Sequence, residues 1–214
     1  MGMASMEAAQ AEAFYGRPER ATAAEEDSFV YFGSATWEDY ERLLAMRGEC
    51  AVPRITFLEG VIELVSPSRN HEKLKSVIGR LVEVWCLEKD IRFTTLGSWT
   101  LTSEKHDRGT EPDECYIFGD PNVDKPHLAI EVVWTSGGID KLNVYRKLGV
   151  AEVWYWRNST IEVHVLVGDQ YERCANSRAL PGIDLKFLAS FLDRPSTYDA
   201  IRDYRAGLQP RTTK

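Results

Sequence analysis

Several things are missing from this sequence, and each absence closes off a class of protein. No run of about 18 apolar residues exists, which argues against a membrane-spanning helix. The N-terminal stretch M-G-M-A-S-M-E-A-A-Q has neither the charged start nor the apolar core of a signal peptide, so a cytoplasmic location off the membrane is expected. Cysteine is scarce: Cys50, Cys86, Cys115 and Cys174 lie far apart, with no C-x-x-C pair and no His at zinc-ligand spacing. They read as reduced thiols. There is no glycine-rich phosphate loop, no nucleophile elbow and no H-E-x-x-H zinc pattern. Basic charge is also short. With 26 Lys and Arg against 33 Asp and Glu the net charge is -7, which weighs against nucleic acid, because duplex affinity comes largely from cations neutralising phosphates.

The distribution of charge softens that objection. Residues 1 to 30 hold six acids, Glu7, Glu12, Glu19, Glu25, Glu26 and Asp27, against Arg17 and Arg20, leaving 27 acids and 24 bases for the rest. What remains is close to neutral, and a cluster of metal-binding carboxylates would account for several of the acids. At 214 residues, 43% hydrophobic and 28% charged, the chain has the size and composition of one folded domain.

Residues 1–28, rich in Ala and Glu and broken by Gly16 and Pro18, read as a mobile arm. The folded domain is expected over 29–208, with 209–214 as a tail. Thr36 and Asp39 form a capping-box pattern opening a helix T-W-E-D-Y-E-R-L-L-A-M-R that stops at Gly48. R-I-T-F-L and V-I-E-L-V-S, joined at Glu59-Gly60, read as a hairpin. A long helix follows, with Asn70 as its expected cap and Leu74, Val77, Ile78, Leu81 and Trp85 on one buried face. Strands are expected near 92–96 and 99–103, then a loop E-K-H-D-R-G-T-E-P-D, then C-Y-I-F and the apolar run L-A-I-E-V-V-W as the buried centre of the sheet. Gly137-Gly138 break the chain before a helix I-D-K-L-N-V-Y-R-K-L ended by Gly149. A second hairpin, V-W-Y-W and I-E-V-H-V-L-V, and two short helices near 185–192 and 197–205 complete the reading. Trp134, Trp154 and Trp156 stand at strand spacing and read as core rather than as a base-stacking platform.

Glu131 carries the most information, because it interrupts a strand in which Leu128, Ile130, Val132 and Trp134 share one face while Ala129, Glu131 and Val133 share the other. A buried carboxylate must be paired or bound to metal. Two readings stand at this point: an internal ion pair with Lys141 or an arginine, and a functional site. Asp113, set on a stiff strand entry by Pro112, can converge with Glu131 on one hard cation. Lys141 falls on the apolar stripe of its helix with Tyr145 and Leu148, and is expected to point back at the carboxylates. His71 and Glu72, in the first turn of the long helix, are alternative contributors to the same site. Lys73 and Lys75 beside them are candidate phosphate contacts. Glu114, on the opposite face of the strand from Asp113, is at best a supporting group behind the site, and His106, His127 and His164 read as structural.

These segments resemble the Uma-type family of putative restriction endonucleases, a branch of the PD-(D/E)xK nuclease superfamily. The resemblance runs from about Thr36 to Leu192 and lies in G-V-I-E-L-V-S-P-S-R-N-H-E, E-P-D-E, A-I-E-V-V-W-T-S and D-K-L-N-V-Y-R-K-L-G-V-A-E-V-W-Y-W. It implies an α/β (α+β) fold with a mixed central sheet flanked by helices. It also implies Mg2+ or Mn2+ on Asp113 and Glu131, a contribution from His71 or Glu72, and phosphodiester hydrolysis, with DNA as the nucleic-acid partner. A homodimer is compatible with it. Where the wider superfamily carries a lysine two residues after the glutamate, this chain has Val133, so Lys141 on the next helix would supply the cation. The rival expectation is a nuclease-like domain without catalysis, a binding or interaction module whose carboxylates balance Lys141.

Overall fold

In a computed structural model, residues 26–134 and 138–209 are described. Most of the arm expected over 1–28 and most of the tail lie outside them. Two boundaries move. Asp27 and Ser28, assigned to the arm, belong to the fold, since β1 (Ser28–Phe32) pairs with β3 (Val61–Ser66) from Ser28 onward. At the other end Gln209, assigned to the tail, donates to Glu88 at 2.6 Å.

The capping box at Thr36 forms as the sequence predicts. Its hydroxyl accepts from the Asp39 N–H while the Asp39 carboxylate accepts from the Thr36 N–H, and α1 (Trp37–Arg47) ends at Gly48. The hairpin of β2 (Arg54–Leu58) and β3 turns at Glu59-Gly60. The long helix, α2 (Arg69–Glu88), starts earlier than expected. Its cap is Ser68, whose extended backbone brings its hydroxyl within 3.1 Å of the His71 N–H, whereas Asn70 is already helical. That shift sets His71 as the third helical residue, pointing inward.

The rest of the chain runs through β4 (Phe93–Thr95), β5 (Leu101–Ser103), a 3-10 turn (Glu104–His106), β6 (Arg108–Thr110), β7 (Glu114–Phe118), β8 (Leu128–Val132), α3 (Lys141–Leu148), β9 (Glu152–Arg157), β10 (Thr160–Val167), β11 (Gln170–Cys174), α4 (Leu185–Ala189) and α5 (Thr197–Leu208). The loop expected over 104–113 therefore contains a strand. Gly109 permits it, because a side chain there would collide with the Tyr40 ring that packs across β6. The short polar strand β11 was not anticipated.

The expected mixed α and β architecture is present, and it contains two sheets rather than one. One is antiparallel, in the order β1-β3-β2-β6-β5; the other is mixed, in the order β11-β10-β9-β8-β7-β4, with β8 and β9 as its parallel pair. A parallel pair needs a crossover, and α3 provides it. Alternation along β8 divides the core between its two faces. Leu128, Ile130 and Val132 join Val77, Ile78, Leu81 and Val82 of α2, with α4 and α5 behind them. Ala129 faces the other way, with Tyr145 and Val150. A third cluster packs Tyr40 of α1 on Ile55, Phe57 and Ile62 of the antiparallel sheet. Among the described residues no helix is long and apolar enough to cross a membrane, and all four cysteines are free thiols.

Candidate functional site

Because β7 and β8 are antiparallel with Glu114 opposite Ile130, the register carries Asp113 to the end of the ladder opposite Glu131. The two carboxylates, 1% and 2% exposed, line one cavity of about 110 Å³ together with Lys141, Glu63, Arg54 and His71. Asp27, Tyr155 and Arg157 complete its charged and hydroxyl lining.

Each carboxylate is held by donors from several elements. Asp113 accepts from the Arg54 guanidinium, from the Val132 N–H at 2.6 Å, and lies 2.8 Å from His71 Nε2. Glu131 accepts from Lys141 Nζ at 2.7 Å and from the Tyr145 hydroxyl. Burial, reinforced by the charge and hydrogen bond of Glu131, pushes the Tyr145 hydroxyl well above its ordinary pKa, so Tyr145 keeps its proton and donates it to Glu131. Lys141 thus reaches the carboxylates from its helix start, as its place on the apolar stripe suggested.

His71 and Glu72 separate cleanly. His71 is buried between Asp113 and Asp27, its Nδ1 lying 2.7 Å from the Asp27 carboxylate. Burial alone would raise the Asp27 carboxyl, but the hydrogen bonds from His71 and the Ser68 N–H outweigh it and hold the group below its ordinary value. Glu72 stays at the rim, half exposed, and accepts from Arg54 at 2.5 Å. Lys75 is not a free phosphate contact: its ammonium donates to the Asp113 carbonyl at 3.3 Å and pairs with Glu72 at 3.4 Å. Lys73 is exposed. Glu114 accepts from Thr95 at 2.8 Å, and His127 accepts from the Phe118 N–H.

Six contributors were not among the residues the sequence pointed to: Glu63, Arg54, Asp27, Tyr145, Tyr155 and Arg157. Glu63 shows the same signature as Glu131, a carboxylate buried inside an apolar strand, and that signal was available in V-I-E-L-V. It accepts from the Ile139 N–H at 3.2 Å, and Gly138, at a φ of 102°, leaves room for it where a side chain would collide. Trp154 and Trp156 are buried as expected, but Trp134 is 52% exposed, because β8 ends at Val132 and the indole stands beyond the sheet at the cavity mouth.

A hard divalent cation takes oxygen donors, and Glu63, Asp113 and Glu131 offer three carboxylates to one cavity. Among the described residues no three His, Cys, Asp or Glu side chains already stand at ligand spacing. A carboxylate oxygen has two lone pairs, however. After the donors named above, Glu131 keeps one on each oxygen and Asp113 keeps one on Oδ1, so the donor set fits such an ion in kind.

A family model for Uma2, described as "Putative restriction endonuclease", matches residues 37–191. Among solved structures the chain is similar to a crystal structure described as a putative nuclease belonging to DUF820 from Anabaena variabilis ATCC 29413. The identity is 15%, over 72% of this chain and 92% of that one, with a TM-score of 0.47. No curated protein matches the chain. The family match spans well over half of the sequence and includes both site carboxylates and Lys141; the chain belongs to the Uma2 family.

Proposed function

We propose that this protein is a metal-dependent nuclease that hydrolyses phosphodiester bonds in DNA, with residues 27–209 as one nuclease-like domain. The observation that carries the reading is the meeting of Asp113, Glu131 and Lys141 in one cavity. The two carboxylates come from facing strand ends, and the ammonium lies 2.7 Å from Glu131.

Asp113 and Glu131 would hold Mg2+ or Mn2+, with Glu63 lining the same space. When bound, such an ion polarises a scissile phosphate and acidifies an attacking water. The chain's own part is positioning and charge. Tyr145 fixes the rotamer of Glu131 and Arg54 that of Asp113, so neither must reorganise when a substrate arrives. Lys141 Nζ can turn from Glu131 to a phosphate oxygen, neutralising the charge that grows as the water oxygen bonds to phosphorus and the ester oxygen departs. Arg157, held over the Tyr155 ring at 5.4 Å, adds a third cation to the cavity lining beside Lys141 and Arg54.

Cleavage of plasmid and single-stranded DNA with Mg2+ and with Mn2+ tests the reading. Asp113→Asn, Glu131→Gln and Lys141→Ala, each checked for folding by circular dichroism, should each lose about 100-fold or more in rate. If all three cut as fast as the wild type, this is not the active site.

A second reading, a nuclease-like module that binds nucleic acid or protein without cutting, draws on one observation. Arg54 and Lys141 already balance the two buried carboxylates. Titration calorimetry separates the two. Metal binding by the wild type that is lost in Glu131→Gln supports the enzyme, and no metal binding by the wild type supports the module.

A further inference from the structure

The exposed indole of Trp134 stands at a junction. It lines the Asp113/Glu131 cavity and also an adjoining open pocket of about 440 Å³, whose other walls include Asn70 and Lys73 of α2, Trp156, and Asn158 in the β9–β10 turn. A pocket of that size is in the range that holds a small organic group. We infer that Trp134 and this pocket form a subsite for an unpaired nucleobase of the strand whose phosphate enters the catalytic cavity, and that the protein therefore prefers single-stranded DNA.

Position, chemistry and exposure support this independently. Trp134 is three residues past Glu131, and its neighbour Val133 is tied to β9 by a 2.9 Å hydrogen bond to the Trp156 carbonyl, so the indole is anchored close to the carboxylates. A strand with one phosphate at those carboxylates must lay a flanking nucleotide across the indole or turn away into solvent. Apart from Asp193, whose carboxylate would face a phosphate with like charge, the pocket's polar groups suit a nucleotide. Asn70 and Asn158 carry amides that can both donate to and accept from a base edge, and Lys73 supplies a cation for the next phosphate. The turn residues Asn158 and Ser159 both have positive φ, 50° and 57°, which makes the tight connection that brings the Asn158 amide to the pocket. An exposed tryptophan with these surroundings is the platform that sequence-tolerant single-strand binding uses. A base inside a duplex keeps both faces stacked and cannot reach it.

The inference rests on the nuclease reading only for which phosphate lies in the cavity, and it is tested by binding rather than cutting. The full-length chain is titrated with a short labelled oligothymidylate, with the same sequence as a duplex, and with an abasic strand of equal charge. Fluorescence anisotropy is recorded in EDTA and again with Ca2+. Trp134→Ala should bind oligothymidylate about tenfold more weakly than the wild type, with Trp134→Phe restoring most of the loss. On the abasic strand the wild type and Trp134→Ala should bind alike, because there is no base to stack. Equal binding of oligothymidylate by Trp134→Ala and wild type overturns the subsite. So does a Trp134→Ala loss that persists on the abasic strand, and so does failure of the wild type to bind oligothymidylate in either buffer. Cleavage with Mg2+ is scored separately. A wild type that cuts nothing yet shows the base-dependent Trp134 effect removes the nuclease reading and keeps the subsite. A wild type that cuts duplex while Trp134→Ala binds and cuts oligothymidylate normally does the reverse.

Discussion

Lys141 sits where an isolated helix would reject it. It is the first residue of α3, at the positive end of the helix dipole, where cations are disfavoured, and the Glu131 carboxylate at 2.7 Å is what offsets that placement. This makes Lys141 both a partner of Glu131 and a competitor for it. Replacing it with Met keeps the stem and removes the charge. The metal-free protein should then lose about 3 kcal/mol of stability in urea denaturation, because a buried carboxylate is left with only Tyr145. Its affinity for Mn2+ by calorimetry should equal or exceed that of the wild type, while cleavage falls. Weaker Mn2+ binding in Lys141→Met would show that the lysine organises the carboxylate instead of competing for it. Single residues like this were legible because they break a pattern: Glu131 interrupts an apolar alternation and Lys141 lies on a buried stripe. Arg54 was not legible. An arginine opening a strand looks like any surface charge until the fold brings Asp113 against it. Asp27 was hidden for another reason, since it ends an acidic, alanine-rich stretch whose composition masks one ordered residue.

Elements with strong local signals appear where the sequence placed them. The capping box of α1, the Gly149 stop of α3 in the left-handed conformation and the apolar stripe of α2 each depend on neighbours within a few residues. The short strand β6 depends on β2, far along the chain, which no local pattern reports, whereas β11 folds back on its neighbour β10 across the Gly168-Asp169 turn and is polar enough to pass for a loop. The block G-V-A-E-V-W, within the last of the segments that carry the family resemblance, has an architectural job. Gly149 ends the helix, Val150 and Trp154 are buried, and Glu152, 1% exposed, accepts from Trp154 Nε1, the Ser177 hydroxyl and the N–H groups of Arg178 and Ala179 at 2.5 to 3.0 Å. One carboxylate thereby ties the segment at 177–179 to β9. Glu152→Ala would strand these donors and should cost about 3 kcal/mol or more, read as a lowered urea midpoint. Mn2+ binding by the folded fraction should not change. A loss of metal affinity with unchanged stability would instead put Glu152 in the site.

At the scale of the whole molecule, the cavity is a seam where the two sheets meet, closed by charged pairs rather than by packing. Arg54 of the antiparallel sheet reaches Asp113 beside the mixed sheet, Glu63 reaches the Ile139 N–H ahead of α3, and Asp27 at the start of β1 holds His71 on α2. Local sequence could not report this seam, because each of its pairs joins residues at least 44 positions apart. Its response to acid follows from the sign of one shift. The Asp27 carboxyl is held below its ordinary value of 3.8, so the folded state binds its proton less readily than the unfolded chain does. The stability it contributes is therefore fully present above that value and is lost as pH falls through the lowered one. Asp27→Asn should lower the urea midpoint at about pH 7, and the gap between variant and wild type should close as the pH falls through the lowered value. A gap that stays constant across that range would mean that Asp27 steadies the seam by shape alone. A gap that widens in acid would reverse the sign of the linkage and separate Asp27 from the charged closure of the site.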